Sequence, residues 1–499
     1  MAGALHRMTI SLVAAAGCAL LSSTLALAQG VERQINDLIS KGKLAPLKIG
    51  ICIVDCPSGE KLATINEKTG LIPASNLKVI TTGTALLVLG KDFEFTTRLV
   101  RDGDKLVIIG SGDPALAEPK LLSEMDSTVG SFIDKLAASV AASGTKGIKE
   151  VVLDDRIFEP NGPHPSWPKD QLDEWYCAPV SGLNFHANLL EIYCTAASRP
   201  GPSPMPRSEP TAPWIELVNN LPTVGTGNNS IAILRDAANP TRFKVQGSIR
   251  VTPTEPINIT LNDAPTVLGR LLADRLTALG LTQGVPTVRF AGPDEAFDTT
   301  RPVGVVSTPL SRVLKRSNTD SYNLYADALL KRLGHAVTGQ PGSWNNGAAV
   351  LRMTIADKVG NNAGDLAIVD GSGMSRDNRV SPLIVAQFLR SVNNTPGLGE
   401  AFETSLARPG EGTFLKRFRS KKLTCEVAGK SGFINGVQCL SGFVTHPTTG
   451  RRVAFSILVN DLNRAPGGSN VKEFHEDVVE VIDKWLVKNP RAFGPSQGG

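Results

Sequence analysis

Ile72-Pro73-Ala74-Ser75-Asn76-Leu77-Lys78-Val79-Ile80-Thr81 opens an apolar run that continues to Leu89 and stops at Gly90. A glycine just past the last apolar residue suits a helix end. Apolar residues lie on most sides of the run, so the helix is expected to be buried. Positions i and i+3 of a helix share a face, which sets Lys78 beside Ser75. A neutral lysine amine there could take the serine proton and turn the hydroxyl into a nucleophile. The pattern S-x-x-K alone is a poor signal, since it occurs six times, at Ser40, Ser58, Ser75, Ser143, Ser166 and Ser469. Only Ser75 opens a long apolar helix that would bury the amine and hold it rigid. The plain structural alternative is a serine that merely starts a helix.

Outward from this stretch the chain alternates in character. Segments 47–55 and Lys61–Ile65 flank the turn Cys56-Pro57-Ser58-Gly59-Glu60 and read as a hairpin. From Arg98 to about Ile157, strand-like Lys105–Ile109, helix-like 121–143 and strand-like 150–153 suggest a separate α+β module. A second composition shift falls near Ser181. Segment 199–213 holds six prolines in fifteen residues and reads as a loop or linker. Segment 215–261 alternates short β-rich runs with Gly/Asn/Pro turns, a small β module, and 266–279 returns to helical periodicity. The last 190 residues form another unit, with a helix over 322–333 and a strand pair 438–445 and Arg452–Asn460. Val471, Phe474, Val478, Ile482 and Trp485 give it an amphipathic final helix.

Composition bounds the function. The chain has 499 residues, a length that suits about three domains, and is 41% hydrophobic and 20% charged, enough apolar material for a sizeable core and too little charge for a disordered chain. Lys+Arg 52 against Asp+Glu 47 leaves +5, spread without a basic block, so no nucleic-acid partner is indicated. Collagen, coiled coil, disulfide-dense miniprotein and polytopic membrane protein are excluded. Residues 1–28 carry one charge, Arg7, then an apolar stretch from Ile10 to Leu21 and the small-x-small site Ala26-Leu27-Ala28. That order reads as a secretory signal peptide cleaved after Ala28. An uncleaved membrane anchor is the alternative, and a weak association with the membrane surface stays open. Cleavage would remove Cys18 and leave Cys52, Cys56, Cys177, Cys194, Cys425 and Cys439. Six cysteines in an exported chain permit disulfides without choosing a pairing. A Cys52–Cys56 bridge is doubtful, because a straight strand would set them about 13 Å apart. No metal-ligand spacing accompanies the six histidines, and no metal or cofactor is expected.

No G-x-S-x-G elbow and no H-E-x-x-H occurs. Gly429-Lys430-Ser431 resembles the end of a phosphate loop, but Thr424 sits where its first glycine should be. Serine–lysine acyl enzymes instead add S-x-N and K-[S/T]-G, in that order, after S-x-x-K. S-x-N occurs at Ser321-Tyr322-Asn323, Ser343-Trp344-Asn345 and Ser391-Val392-Asn393. Ser321 directly precedes an amphipathic helix, and the other two copies are expected in surface loops. K-[S/T]-G occurs at Lys68-Thr69-Gly70, which precedes Ser75 and reads as a turn, and at Lys430-Ser431-Gly432, in the right order on a plausible strand.

Taken together, IPASNLKVIT around Ser75, GSGDPAL at 110–116, SYNLYADALL from Ser321, VDGSGMSRDNRVSP at 369–382 and GKSGFINGVQCLSGFV at 429–444 resemble the class C low-molecular-mass penicillin-binding proteins. These are the D-alanyl-D-alanine carboxypeptidase/endopeptidases of peptidase family S13. The resemblance implies an α+β penicillin-recognising (β-lactamase/transpeptidase-like) domain at 29–98 and 305–499. It also implies one inserted α+β domain at 99–180 and 263–304, and a mostly β domain, 181–262, nested within that. It accounts for the separation of 246 positions from Ser75 to Ser321.

The same resemblance implies site roles. Ser75 would attack the penultimate D-alanine carbonyl, with Lys78 as general base. Ser321 would relay a proton to the leaving amine, and Asn323 would hydrogen-bond the substrate amide. Lys430 would supply positive potential and Ser431 would bind the terminal carboxylate. Gly432 would complete that binding strand, and the N–H groups of Ser75 and Phe433 would form the oxyanion hole. Arg376 is a candidate contact for the stem-peptide side chain, and Asp154 or Asp155 for its amino end. A structural ion pair for Arg376 and strand-end roles for the aspartates are the alternatives. Two departures stand out: Ser431 replaces the commoner Thr, and bulky Phe433 stands where the family usually has Thr or Ser. The expected function is an exported serine D,D-peptidase that trims peptidoglycan stem peptides, extends to D,D cross-links, and is inhibited by β-lactams. A β-lactam hydrolase or D-amino-acid esterase on the same fold, and a non-catalytic peptidoglycan-binding protein, are the alternatives.

Overall fold

Seven of the eight residues of strand Lys48–Asp55 are buried, as are eight of nine in Arg452–Asn460. Continuous apolar runs of this kind belong to strands covered on both faces. The two pair antiparallel, Ile51 opposite Ile457 and Cys52 opposite Ser456, which ties the start of the chain to its end. The computed structural model describes residues 30–160, 162–361, 364–465, 467 and 470–491. The expected signal peptide, its cleavage site and Cys18 lie outside them.

These strands are the centre of the first of two units, which takes in the described residues of 30–91, 314–321 and 348–491. Its antiparallel sheet runs Glu426–Ile434, Val437–Thr445, Arg452–Asn460, Lys48–Asp55, Lys61–Ile65. On one side the final helix, Val471–Lys488, buries Phe474, Val478, Ile482 and Trp485 in a core with Ile51, Phe455 and Leu440. On the other, helix Pro382–Asn393 is close enough that a side chain on Gly50 would sit 2.7 Å from Pro382 Cγ. Helix Leu77–Leu89 packs behind it, where a side chain on Gly83 would sit 2.6 Å from the Phe388 ring. Leu77 to Leu86 are all buried, as the run of apolar residues predicts, and Gly90 ends the helix at φ 84°.

The second unit takes in 92–313 and 322–347. Its five-stranded mixed sheet runs Thr282–Phe290, Ile148–Asp154, Lys105–Ile109, Glu94–Asp102, Pro302–Pro309. The first three strands are parallel and the last two join antiparallel. The expected boundaries at 98 and 305 fall inside the last two of these strands. Small sheets built from Glu216–Asn220, Ser230–Arg235 and Arg242–Ser248, and from Leu189–Tyr193, Arg207–Glu209 and Ile257–Thr260, follow. They share one apolar core with the larger sheet's helices, through Leu190, Phe243 and Leu272.

Several local expectations change. The single helix over 121–143 is two, Pro119–Glu124 and Val129–Ala142. Thr128 and Ser131 form a capping box that starts the second helix afresh. The helix expected at 322–333 runs Asn323–Thr338 and closes on Gly339 at φ 70°. Segment 199–213 contributes short strands Gly201–Pro202 and Arg207–Glu209. Neither spare S-x-N copy is a surface loop: Ser343 is buried and its hydroxyl accepts from Asn346 N–H at the start of a helix, and Ser391 to Asn393 lie inside helix Pro382–Asn393. The six cysteines from Cys52 onward are free thiols, all buried. Among the described residues no helix is long and apolar enough to cross a membrane.

Candidate active site

Ser75 sits in a single tight turn, Ala74–Asn76, that feeds directly into helix Leu77–Leu89. Ala74 is left-handed, φ 46°, a strained setting for a residue with a Cβ that functional turns retain. The turn leaves Ser75 half-buried while Lys78, one helical turn on, is fully buried. Lys78 Nζ lies 3.0 Å from Ser75 Oγ and donates to the Ser372 carbonyl at 2.8 Å. The paired positions quoted from sequence are therefore brought together.

The K-S-G segment lies on strand Glu426–Ile434, as expected. Lys430 is fully buried. Its Nζ donates to Ser321 Oγ at 2.8 Å and to the Ser431 carbonyl at 2.7 Å. Burial and the neighbouring Lys78 charge hold Lys430 well below the ordinary lysine range, with Asp320 opposing that shift. Ser321, at φ 65°, is like Ala74 a left-handed residue with a Cβ. The strand touches the nucleophile turn: Asn76 Nδ2 donates to the Lys430 carbonyl at 3.0 Å. A Cβ on Gly432 would meet Asn76 Nδ2 at 2.9 Å and the Pro73 carbonyl at 3.0 Å. Only glycine fits there without displacement. Ser431 is half-buried and Phe433 is 68% exposed.

Arg376 is exposed and donates from Nη1 to the Asn435 carbonyl at 2.8 Å, at the turn that follows this strand. Asn323 opens its helix in the second unit, where its Nδ2 donates to the Tyr176 carbonyl at 2.8 Å. Beside it Trp175 and Tyr322 rings stand 5.4 Å apart, an aromatic setting that sequence reading missed. Asp154 is clamped by Arg156, whose Nε and Nη2 each donate at 2.8 Å. Asp155 accepts from Ser181 Oγ at 3.4 Å, and burial pushes its carboxyl up. Both aspartates belong to the second unit and hold local structure at the end of strand Ile148–Asp154.

Sequence reading also missed the work of Asp370-Gly371-Ser372-Gly373. It singled out the segment only as a family match, and the tripled small residues around one aspartate were its signal. Asp370 is buried and accepts from the N–H groups of Gly373 (2.9 Å) and Ser375 (2.7 Å) and from Asn378 Nδ2 (2.8 Å). Among the described residues no cluster of three or more His, Cys, Asp or Glu could hold a metal ion.

A serine with a buried lysine amine within hydrogen-bond reach, a second serine–lysine pair beside it, and a β-sheet between helices define the penicillin-recognising class. The chain belongs to the D-Ala-D-Ala carboxypeptidase 3 (S13) family, which matches residues 31–482, and it is a serine-type D-alanyl-D-alanine carboxypeptidase. It is 26% identical to a D-alanyl-D-alanine carboxypeptidase of Actinomadura sp. (strain R39), over 86% of this chain and 81% of that one. It is 24% identical to D-alanyl-D-alanine carboxypeptidase DacB of Haemophilus influenzae, over 90% and 93%. The crystal structure of penicillin binding protein 4 (dacB) from Haemophilus influenzae superposes with a TM-score of 0.68. That match covers 90% of this chain and 99% of that one at 21% identity. The shared fold is what this likeness establishes.

Proposed function

We propose that the chain is an exported serine D,D-peptidase that removes the terminal D-alanine from peptidoglycan stem peptides through an acyl-enzyme on Ser75, and that it also opens D,D cross-links. The observation that carries this reading is the 3.0 Å approach of Lys78 Nζ to Ser75 Oγ beside the 2.8 Å approach of Lys430 Nζ to Ser321 Oγ.

Lys78 in its neutral form takes the Ser75 proton as Oγ attacks the penultimate D-alanine carbonyl. The developing oxyanion is met by the N–H groups of Ser75 and Phe433, the latter on the strand that Gly432 lets approach. Collapse breaks the amide bond. The proton reaches the leaving amine of the terminal D-alanine through Ser321, whose hydroxyl Lys430 holds. Ser431 receives the terminal carboxylate and Arg376 the stem-peptide side chain. Water then releases the shortened stem and restores Ser75.

β-Lactams mimic the D-Ala-D-Ala end and should acylate Ser75. A Haemophilus influenzae relative has a crystal structure in complex with a novel β-lactam. Slow release of the penicilloyl group separates a peptidase from a β-lactam hydrolase. The stretch between Lys78 and Ser321 is read as two nested inserts, and residues 1–28 as the export signal.

The test is D-alanine release from a pentapeptide stem and cleavage of a D,D-cross-linked dimer by the mature chain. Ser75→Ala should abolish both. Retained D-alanine release in that variant would end the proposal.

A further inference from the structure

The loop Asp370-Gly371-Ser372-Gly373 touches the two halves of the serine–lysine pair at once. Its Ser372 carbonyl accepts from Lys78 Nζ at 2.8 Å. Its Gly373 backs onto the turn before the nucleophile: at φ 81°, a Cβ there would lie 1.8 Å from the Ala74 carbonyl oxygen and 3.2 Å from Ser75 N. Its Gly371 carbonyl accepts from Thr81 Oγ1 at 2.7 Å, one turn further along the same helix. The loop is therefore pinned to helix Leu77–Leu89 at two points and pressed against residue 74.

What holds the loop in this shape is a buried charge. Asp370 accepts from Gly373 N–H and Asn378 Nδ2 with Oδ1, and from Ser375 N–H with Oδ2. Asn378 in turn donates to the Ser375 carbonyl and accepts from Val369 N–H. A buried carboxylate is tolerated when hydrogen bonds of this kind surround it, and each charge-assisted bond is stronger than a neutral one. The peptide that carries the Ser372 carbonyl lies between these anchors and has little freedom to turn.

A carbonyl oxygen can only accept. A neutral lysine amine has two N–H groups and one lone pair. With one N–H committed to Ser372, rotation of the amine about its last bond is restricted, and the lone pair can be turned to the Ser75 hydroxyl 3.0 Å away. An amine without that acceptor would present an N–H to Ser75 Oγ in a share of its rotamers, which cannot take a proton.

We propose that Asp370 is a positioning residue for the peptidase reaction: through the Ser372 carbonyl it fixes the orientation of the Lys78 amine toward Ser75. This rests on the reading of Lys78 as general base.

The test is the kinetics of acylation by benzylpenicillin on the mature chain, split into the pre-acylation binding constant and the acylation rate constant. The variants are Asp370→Asn, Thr81→Val and Lys78→Ala. In Asp370→Asn the amide keeps an acceptor on one side but turns an NH2 group toward Ser375 N–H. The acylation rate should fall about 100-fold, the order expected for a misaligned catalytic group, with the binding constant within about threefold of wild type. A general loss of structure would move both together, and circular dichroism and thermal unfolding check for it. Thr81→Val is nearly isosteric and removes the second pin. It should lower the acylation rate about tenfold, and it keeps the question open to measurement if Asp370→Asn fails to fold. Wild-type acylation rates in both folded variants, with Lys78→Ala inactive, would overturn the role of Asp370 and leave Lys78 as base. Wild-type acylation in Lys78→Ala would overturn the reading of Lys78 itself, and the inference with it.

Discussion

Gly432→Ala tests how closely the binding strand must approach the nucleophile turn. The added Cβ would meet Asn76 Nδ2 at 2.9 Å, the Pro73 carbonyl at 3.0 Å and Asn76 N at 3.1 Å. Two of these atoms are backbone. The third is not free to swing, because Asn76 Nδ2 is held by the Lys430 carbonyl at 3.0 Å. Ordinary carbon contacts start near 3.5 Å, so the strand must move outward by about half an ångström. That displaces the Phe433 N–H and Lys430 relative to Ser75. A 1 Å misplacement costs about 100-fold in rate, so half of it corresponds to about tenfold. Overpacking of this kind also costs about 1–3 kcal/mol of stability. The assay is kcat/KM for D-alanine release, with urea unfolding alongside. The expected variant is folded, about tenfold slower, and still acylated on Ser75 by benzylpenicillin, at a correspondingly lower rate. Activity within twofold of wild type would refute the idea that this approach sets the oxyanion geometry.

Lys430→Met should lower D-alanine release by about 100- to 1,000-fold, since it removes the partner of Ser321 Oγ, and a single-turnover assay on pentapeptide checks it. Wild-type activity is expected to peak at neutral to alkaline pH, because the proposed base Lys78 must be unprotonated to take the Ser75 proton; a peak near pH 5 in the pH–rate profile would contradict this. His186 is fully buried, and burial lowers its pKa from 6.5 to about 4. The unfolded chain binds that proton first, so the stability His186 gives is complete above about pH 6.5 and is lost as pH falls toward 4, by at most about 3 kcal/mol. Asp113 works the other way, since burial raises it to about 6 and its contribution declines as pH rises from about 4 to 6. The difference in urea-unfolding free energy between wild type and His186→Asn isolates the histidine: it should change by about 3 kcal/mol between pH 7 and pH 4, and a constant difference would show that the ring titrates normally. Asn suits the φ of 54° at this position. Burial pushes the Cys52, Cys56 and Cys439 thiols up to about 12, so the six thiols from Cys52 onward should react with a thiol reagent only after unfolding; rapid labelling of the native chain would contradict their burial.

The parts of the site legible in sequence are those carried by one regular element. Ser75 and Lys78 share a helix turn, so spacing alone places them together, and the apolar run to Leu89 states that the amine will be buried. Strand Arg452–Asn460 is legible as a continuous apolar run, and the final amphipathic helix by its helical periodicity. What sequence could not show is contact across the chain. Nothing in spacing places the Lys430 amine on Ser321, or the Ser372 carbonyl on Lys78, because those pairs meet through sheet register and loop shape. The DGSG loop is opaque for a further reason: its chemistry lies in backbone groups that Asp370 orders, and backbone groups carry no residue signature. Asp154 and Asp155 are candidate binding groups through the family resemblance alone, and the local partners Arg156 and Ser181 that engage them follow from no spacing rule. The break at Thr128 was missed because apolar spacing continues through it, while a capping box acts on only three or four residues.

The proposed acyl-enzyme is tested most directly by intact-protein mass spectrometry of the mature chain after incubation with benzylpenicillin, followed by peptide mapping. A stable penicilloyl adduct on Ser75, absent from Ser75→Ala, is the expected result. An unmodified chain with the antibiotic intact would contradict it.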